Sequence, residues 1–237
     1  MKSISSLAVV TALVALGFAP RWAQAADEEG VAVAIVYDTS GSMQEPVRDR
    51  DGKSAPKYVI ANRAVIAIAK QIQIFSTNSA SGSARRIDAG LYVFQSSGAR
   101  EAVRFGPFDA RAIENWARSF SSPSGNTPLG NAVNTAAQAV LKSPLSRKHV
   151  LVITDGINTA GPSPAVVIPK LKQQAEQNHT SLLVHFVAFD VDAKVFDPVK
   201  KLGATVVGAA DEKQLNGQLE FILQKKILLE EEEPSKK

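Results

Sequence analysis

The sequence predicts a doubly wound α/β domain. Its sheet is mostly parallel and six-stranded, with helices on both faces and one antiparallel edge strand. Three observations carry this. Short runs rich in Val and Ile, such as Val31 to Tyr37 and His149 to Thr154, read as strands buried on both faces, as parallel strands are. Between such runs stand longer segments, such as Tyr58 to Ser76, with apolar residues at helical spacing. Regular alternation of the two implies crossover connections and a sheet covered on both sides.

The first segment is not part of that domain. Lys2 gives a positive start, Leu7 to Phe18 an apolar run of about a dozen residues, and Ala23-Gln24-Ala25 a small-x-small cleavage site. The run is too short for a membrane span. The reading is a secretory signal peptide over 1–25, with a mature chain starting near Ala26 in the periplasm or outside the cell. An uncleaved anchor is the alternative. No cysteine follows the run, so a lipoprotein-type anchor is excluded. No later stretch is long and apolar enough to span a bilayer. Residues 26–229 then form one domain, and 230–237 a charged tail. Cysteine is absent, so stability rests on the core, with 45% hydrophobic and 21% charged residues. The formal charge of +4 falls to +2 once Lys2 and Arg21 leave with the signal, too little to argue for nucleic acid.

The elements follow in order. Val31 to Tyr37 is the first strand, and Asp38-Thr39-Ser40-Gly41-Ser42 leaves its end. One carboxylate and two hydroxyls on alternate residues of an extended-to-turn segment can point the same way and converge on one hard cation. The alternative is a polar turn that caps a helix. Gln44 to Lys57 reads as a solvated loop; Asp49, Asp51 and Gly52 miss the register of a calcium loop, because Ile60 stands where the closing Glu belongs. Tyr58 to Ser76 is a largely buried helix, and Asn78 to Ser83 a Ser/Gly-rich loop. Ile87 to Gln95 and Glu101 to Phe105 form an antiparallel edge hairpin around Ser96-Ser97-Gly98. Asp109 caps a helix running to about Arg118.

Ser124-Gly-Asn-Thr-Pro-Leu-Gly130 precedes a third helix, with Val133, Ala136, Ala137 and Val140 inward. Read locally, Thr127 before Pro128 is a helix N-cap. His149 to Thr154 is a buried strand, and Asp155-Gly156 after it reads locally as a turn. Pro164 to Gln177 is a helix that Pro169 should kink or delay. Ser181 to Phe189 is a strand ending in Asp190 and Asp192, with Asp192 a helix cap. A short helix from Lys194 to Leu202, a strand from Ala204 to Val207 and a helix from Asp211 to about Leu229 complete the chain. His149, His179 and His185 match no short ligand spacing and read as structural.

Asp38-x-Ser40-x-Ser42, Thr127 in its Gly-Asn-Thr-Pro-Leu-Gly loop and Asp155-Gly156 occur in one order, each at a strand end or helix start. Together they resemble the metal-ion-dependent adhesion motif of the von Willebrand factor A family, and the threonine loop is similar to that of bacterial members. The resemblance spans about Val31 to Leu228. It implies a Rossmann-like fold with strand order 3-2-1-4-5-6. It implies a divalent ion, Mg2+ before Mn2+ or Ca2+, held by Asp38, Ser40, Ser42, Thr127 and Asp155. It also implies a protein partner that presents an acidic side chain to that ion, so the expected role is adhesion, scaffolding or assembly rather than catalysis. Arg48, Arg50, Lys53, Asn126, Asp190 and Asp192 lie on loops expected to rim the site. The rivals are a scaffold whose metal only stabilises the fold, and a metal-dependent hydrolase. Against the hydrolase, Ser40 stands where an aspartyl phosphotransferase carries its second acid, and no phosphate-binding glycine loop is present. The partner and the oligomeric state are not written in the sequence.

Overall fold

The computed structural model describes residues 28–77, 85–95 and 97–229. The expected signal peptide, the start at Ala26, the loop Asn78 to Ser83, Ser96 of the hairpin turn and the tail 230–237 lie outside the described residues.

The strands are β1 (Glu28–Tyr37), β2 (Pro46–Arg48), β3 (Ser54–Pro56), β4 (Ile87–Gln95), β5 (Gly98–Pro107), β6 (Leu145–Thr154), β7 (Leu182–Phe189) and β8 (Thr205–Ala209). The helices are α1 (Lys57–Thr77), α2 (Ala110–Ser119), α3 (Leu129–Lys142), α4 (Pro164–Gln177), α5 (Asp197–Lys200) and α6 (Glu212–Ile222). The main sheet runs β5-β4-β1-β6-β7-β8. In chain order its six strands read 3-2-1-4-5-6, as expected. Every neighbouring pair is parallel except β4 with β5.

The alternation of β1 divides the core. Val31, Val33, Ile35 and Tyr37 face α1, α2 and α6, while Ala32, Ala34 and Val36 face α3 and α4. The second face carries small residues, matched by Gly130, Ala132, Ala136 and Ala137 on α3, so that helix sits close to the sheet. The register Tyr37↔Ile153 ends β1 and β6 side by side. Order in the sheet changes direction there, which is where ligands of such sheets bind.

Several local expectations are corrected. Gln44 to Lys57 is not an open loop but the two-stranded ribbon β2–β3. Asp49 explains it: its carboxylate accepts from the amides of Asp51 at 3.0 Å and Lys53 at 2.8 Å, and Gly52 takes φ 75, so the chain reverses and pairs. Pro169 neither delays nor ends α4, which runs unbroken from Pro164; its ring stands exposed, so only one helix hydrogen bond is lost. The short helix after β7 divides into a 3-10 turn (Ala193–Phe196) and α5, and α6 gives way to a π turn at Leu223–Leu228. Strands β1 and β6 begin earlier than their apolar runs, because main-chain pairing, as in Val31↔Arg147, accepts charged side chains.

Gly130 shows how tightly the upper loops seat on α3. A Cβ there would collide with the carbonyl oxygen of Pro162 and lie 2.9 Å from the carbonyl carbon of Ser163. Gly130→Ala is therefore expected to destabilise the domain by about 1–3 kcal/mol, the usual cost of forced overpacking. A chemical denaturation midpoint equal to that of the parent would contradict this packing.

Candidate functional site

The site forms where β1 and β6 end. Tyr37 fixes the exit of β1. Its hydroxyl donates to Asn62 Oδ1 at 2.7 Å, and its ring packs edge-on against Trp116 and Phe120. The chain then turns, and Asp38 enters a fully buried position. Asp38 Oδ1 accepts from the Ser40 amide at 2.8 Å, and Oδ2 accepts from Thr154 Oγ1 at 2.6 Å.

A chain of polar contacts continues across the strand ends. Ser40 Oγ lies 3.1 Å from Ser42 Oγ, and Ser42 Oγ donates to Asp155 Oδ1 at 2.8 Å. Thr127 arrives from a third loop. A Cβ built on Gly156 would lie 3.8 Å from Thr127 Oγ1 and 4.0 Å from Ser42 Oγ, so these hydroxyls flank one spot. The structure thus brings together all five residues singled out in the sequence. Asp155-Gly156 does bend the chain after β6, as its local reading has it, but the two capping alternatives do not hold. Ser40 precedes the 3-10 turn Gly41–Gln44 but its side chain makes no capping bond there, and the N-cap of α3 is Pro128, which leaves the Thr127 hydroxyl free of that task.

Main-chain amides hold the loops in register by bonding carbonyls and side-chain oxygens of their neighbours. Ser124 N donates to Thr39 O at 2.8 Å, and Gly41 N to Gly125 O at 3.2 Å. Thr127 N donates to Thr159 Oγ1 at 2.8 Å, Thr159 N to Thr127 O at 2.9 Å, and Gly130 N to Asn158 Oδ1 at 3.1 Å.

The expected rim divides. Asn126 is exposed beside Thr127. Asp190 joins the site, 3.1 Å from Lys57 Nζ. Asp192 caps the following turn by accepting from Lys194 N at 3.0 Å, and with Asp190, Ala209 and Gln214 it lines a groove of about 520 Å3. Arg48, Arg50 and Lys53 are exposed on the ribbon, and among the described residues they form no ion pair. The Arg50 amide donates to Glu212 Oε2 at 2.9 Å, while Arg63 grips the same carboxylate, so the ribbon tip is pinned to α1 and α6.

Sequence reasoning missed Lys57. Its ammonium, 3% exposed, sits 3.0 Å from Asp155 Oδ2, 2.9 Å from Glu45 Oε2 and 3.1 Å from Asp190 Oδ2. Burial disfavours the charge, but the Glu45, Asp155 and Asp190 carboxylates outweigh it and hold Lys57 above the ordinary lysine range. The signal was present: a lysine opens α1, where the helix dipole disfavours cations. Thr154 and Thr159 were also missed, because the sequence does not reveal where a hydroxyl points.

The site offers only oxygens, suited to a hard cation. Among the described residues no three His, Cys, Asp or Glu side chains converge as ligands, so a cation here would depend on the hydroxyls. The histidines stand elsewhere: His149 Nδ1 lies 3.2 Å from His185 Nε2 in the sheet interior, and His179 turns the chain after α4 with φ 55.

A sequence profile described as the von Willebrand factor type A domain matches residues 32–216. The chain belongs to that family. No curated protein matches it. Similar solved structures include the PilB minor pilin from Streptococcus sanguinis (TM-score 0.61, 16% identity, 84% of this chain and 61% of the pilin). The vWF domain of the type V pili tip protein Mfa5 from Porphyromonas gingivalis aligns at TM-score 0.58 and 12% identity, over 87% of this chain and 98% of that one. Proximal thread matrix protein 1 from the mussel byssus, described with a zinc-occupied MIDAS motif, aligns at TM-score 0.56 and 18% identity, over 83% and 48%. Identities this low show a shared fold. The chain spans about three-fifths of the pilin and about half of the byssal protein. Among the described residues no helix is long and apolar enough to cross a membrane.

Asp38 supplies a test of the site's electrostatics. Burial first, and then the nearby Asp155 charge, push its carboxyl up to about 6. In that window the folded state binds a proton that the unfolded state has released. The Asp38 contribution to stability in chelator is therefore expected to be full below pH about 4, to fall as pH rises to about 6 and then to level off. Asp38→Asn should flatten this segment of the curve. Denaturation midpoints across pH 3.5 to 7 check it, and an equal slope in parent and variant would contradict it.

Proposed function

We propose that this chain is an exported von Willebrand factor A domain that binds a protein partner through one divalent ion held by Asp38, Ser40, Ser42, Thr127 and Asp155. The observation that carries the reading is Asp38. It is a fully buried carboxylate with no ion pair among the described residues, held only by hydrogen bonds from the Ser40 amide and the Thr154 hydroxyl. A buried carboxylate is costly without a cation. The donor set fits Mg2+, which takes oxygens in octahedral order and retains waters, and Mn2+ fits the same set.

When bound, the ion would supply an electrophilic coordination position that an acidic side chain of the partner can occupy. The chain's own residues do the rest. Thr154 and the Ser40 amide orient Asp38, Asp155 orients the Ser42 hydroxyl, and the two carboxylates do no more than balance a doubly charged ion. Exposed Arg48, Arg50 and Lys53 suit an acidic partner surface, with Asn126 exposed beside Thr127 and Asp190 and Asp192 at the groove. The minor pilin and the pili tip protein among the similar structures support a role in adhesion or assembly. A byssal relative described with zinc in its motif supports the ion.

Export follows from the signal-like segment 1–25, which leaves 26–229 as the domain and 230–237 as a tail. A hydrolase is the weaker reading. His149 lies five residues before Thr154 on β6, about 16 Å below the site at a strand's rise per residue, and so cannot serve as its base.

Two outcomes are expected. Saturating Mg2+ or Mn2+, at about 100 times the dissociation constant, should stabilise the domain by about 2.7 kcal/mol. Asp38→Ala should abolish that gain. A melting temperature indifferent to both ions and to chelator, with no heat in titration calorimetry, would sink the metal reading. Affinity for a partner recovered from periplasmic extract should need the ion, and Thr127→Ala should cut it without unfolding the domain. Equal affinity in Mg2+ and chelator, unchanged by Thr127→Ala, would place partner binding elsewhere.

A further inference from the structure

Among the described residues Lys57 is the one cation buried against the five-residue cluster, and of that cluster's two carboxylates it engages only Asp155, at Oδ2. Asp155 is wholly shielded from solvent at its side chain, with Oδ1 accepting from Ser42 Oγ and Oδ2 from Lys57 Nζ at 3.0 Å. The ammonium is not free to leave. Glu45, from the loop ahead of β2, and Asp190, from the end of β7, hold it at 2.9 and 3.1 Å, so carboxylates of three separate loops fix its position. The backbone repeats the clamp, since Lys57 N donates to Glu45 O at 2.9 Å.

We propose that Lys57 is a specificity-determining residue: by capturing Asp155 Oδ2 it denies that carboxylate two-oxygen chelation and reserves the site for small, six-coordinate ions over Ca2+. This rests on the metal reading above. The chemistry is direct. Ca2+ takes six to eight oxygens and readily uses both oxygens of one carboxylate, whereas Mg2+ takes six at shorter distance and keeps its waters. An ion drawn toward Oδ2 would approach a fixed positive charge in a poorly solvated place. With Oδ2 occupied, Asp155 acts only through Oδ1, where it receives the Ser42 proton and leaves the lone pairs of that hydroxyl for a cation. Lys57 itself is a positioning residue, acting through Asp155.

The test is competition for Mn2+, read as loss of the free Mn2+ electron paramagnetic resonance signal and its return on adding Mg2+ or Ca2+. The parent should prefer Mg2+ to Ca2+. Lys57→Met should narrow the Mg2+/Ca2+ ratio by about tenfold, the lower range for partners that orient metal ligands. Lys57→Arg should restore most of it. If Lys57→Met does not fold, the double variant Glu45→Gln, Asp190→Asn loosens the ammonium through exposed groups and should narrow the ratio severalfold. A ratio unchanged in every folded variant, or a parent that prefers Ca2+, overturns the proposal and leaves the metal site standing. A parent that takes up no Mn2+ overturns both.

Discussion

Asp38 is a carboxylate set where water cannot reach it, and the rest of the structure is arranged around that cost. It enters the interior because β1 pairs with β6 in a register that leaves Tyr37 beside Ile153, so the next residues of the two strands, Asp38 and Thr154, meet head-on. Two hydrogen bonds moderate the burial, but they do not cancel a charge, and the carboxyl remains raised. Such a group persists in a fold when something else is to complete it. Position, rather than any unusual residue type, is what suits an ordinary aspartate to the proposed role of cation anchor.

Two kinds of restraint support that position. Below, the Tyr37–Asn62–Phe120 contacts and the small-residue seam between β1 and α3 fix the strand end and the helix that carries the threonine loop. Above, loops from three crossovers are sewn together by main-chain bonds, and the sewing runs through Thr39, Gly41, Gly125, Thr127 and Thr159. The hydroxyls therefore need little reorganisation to face one point, which is how a site of mostly neutral ligands gains affinity. The charged partners sit to one side. Lys57, Glu45 and Asp190 tie the Asp155 carboxylate to the loop ahead of β2 and to the end of β7.

Much of this was legible in the sequence. Buried strands declare themselves by Val and Ile runs, and the three separated motifs predicted which ends of which elements would meet. Strand order came from resemblance, because periodicity alone does not order strands. The ribbon β2–β3 stayed hidden, since three-residue strands carry no pattern and their pairing depends on one Asp49 side chain turning the backbone. Lys57 stayed hidden for a different reason. Its partners Glu45, Asp155 and Asp190 are scattered across 145 positions and meet only through topology. The pairing of His149 with His185 is of the same kind, a cross-strand contact that no short spacing encodes.

Where a divalent ion sits decides the proposed site. The direct measurement is an anomalous difference map from crystals of the domain soaked in Mn2+. One strong peak is expected at about 2.0–2.3 Å from the hydroxyls of Ser40 and Ser42, lying between the Asp38 and Asp155 carboxylates and facing Thr127. A strong peak at another place, or crystals saturated with Mn2+ that show none among these five residues, would contradict it.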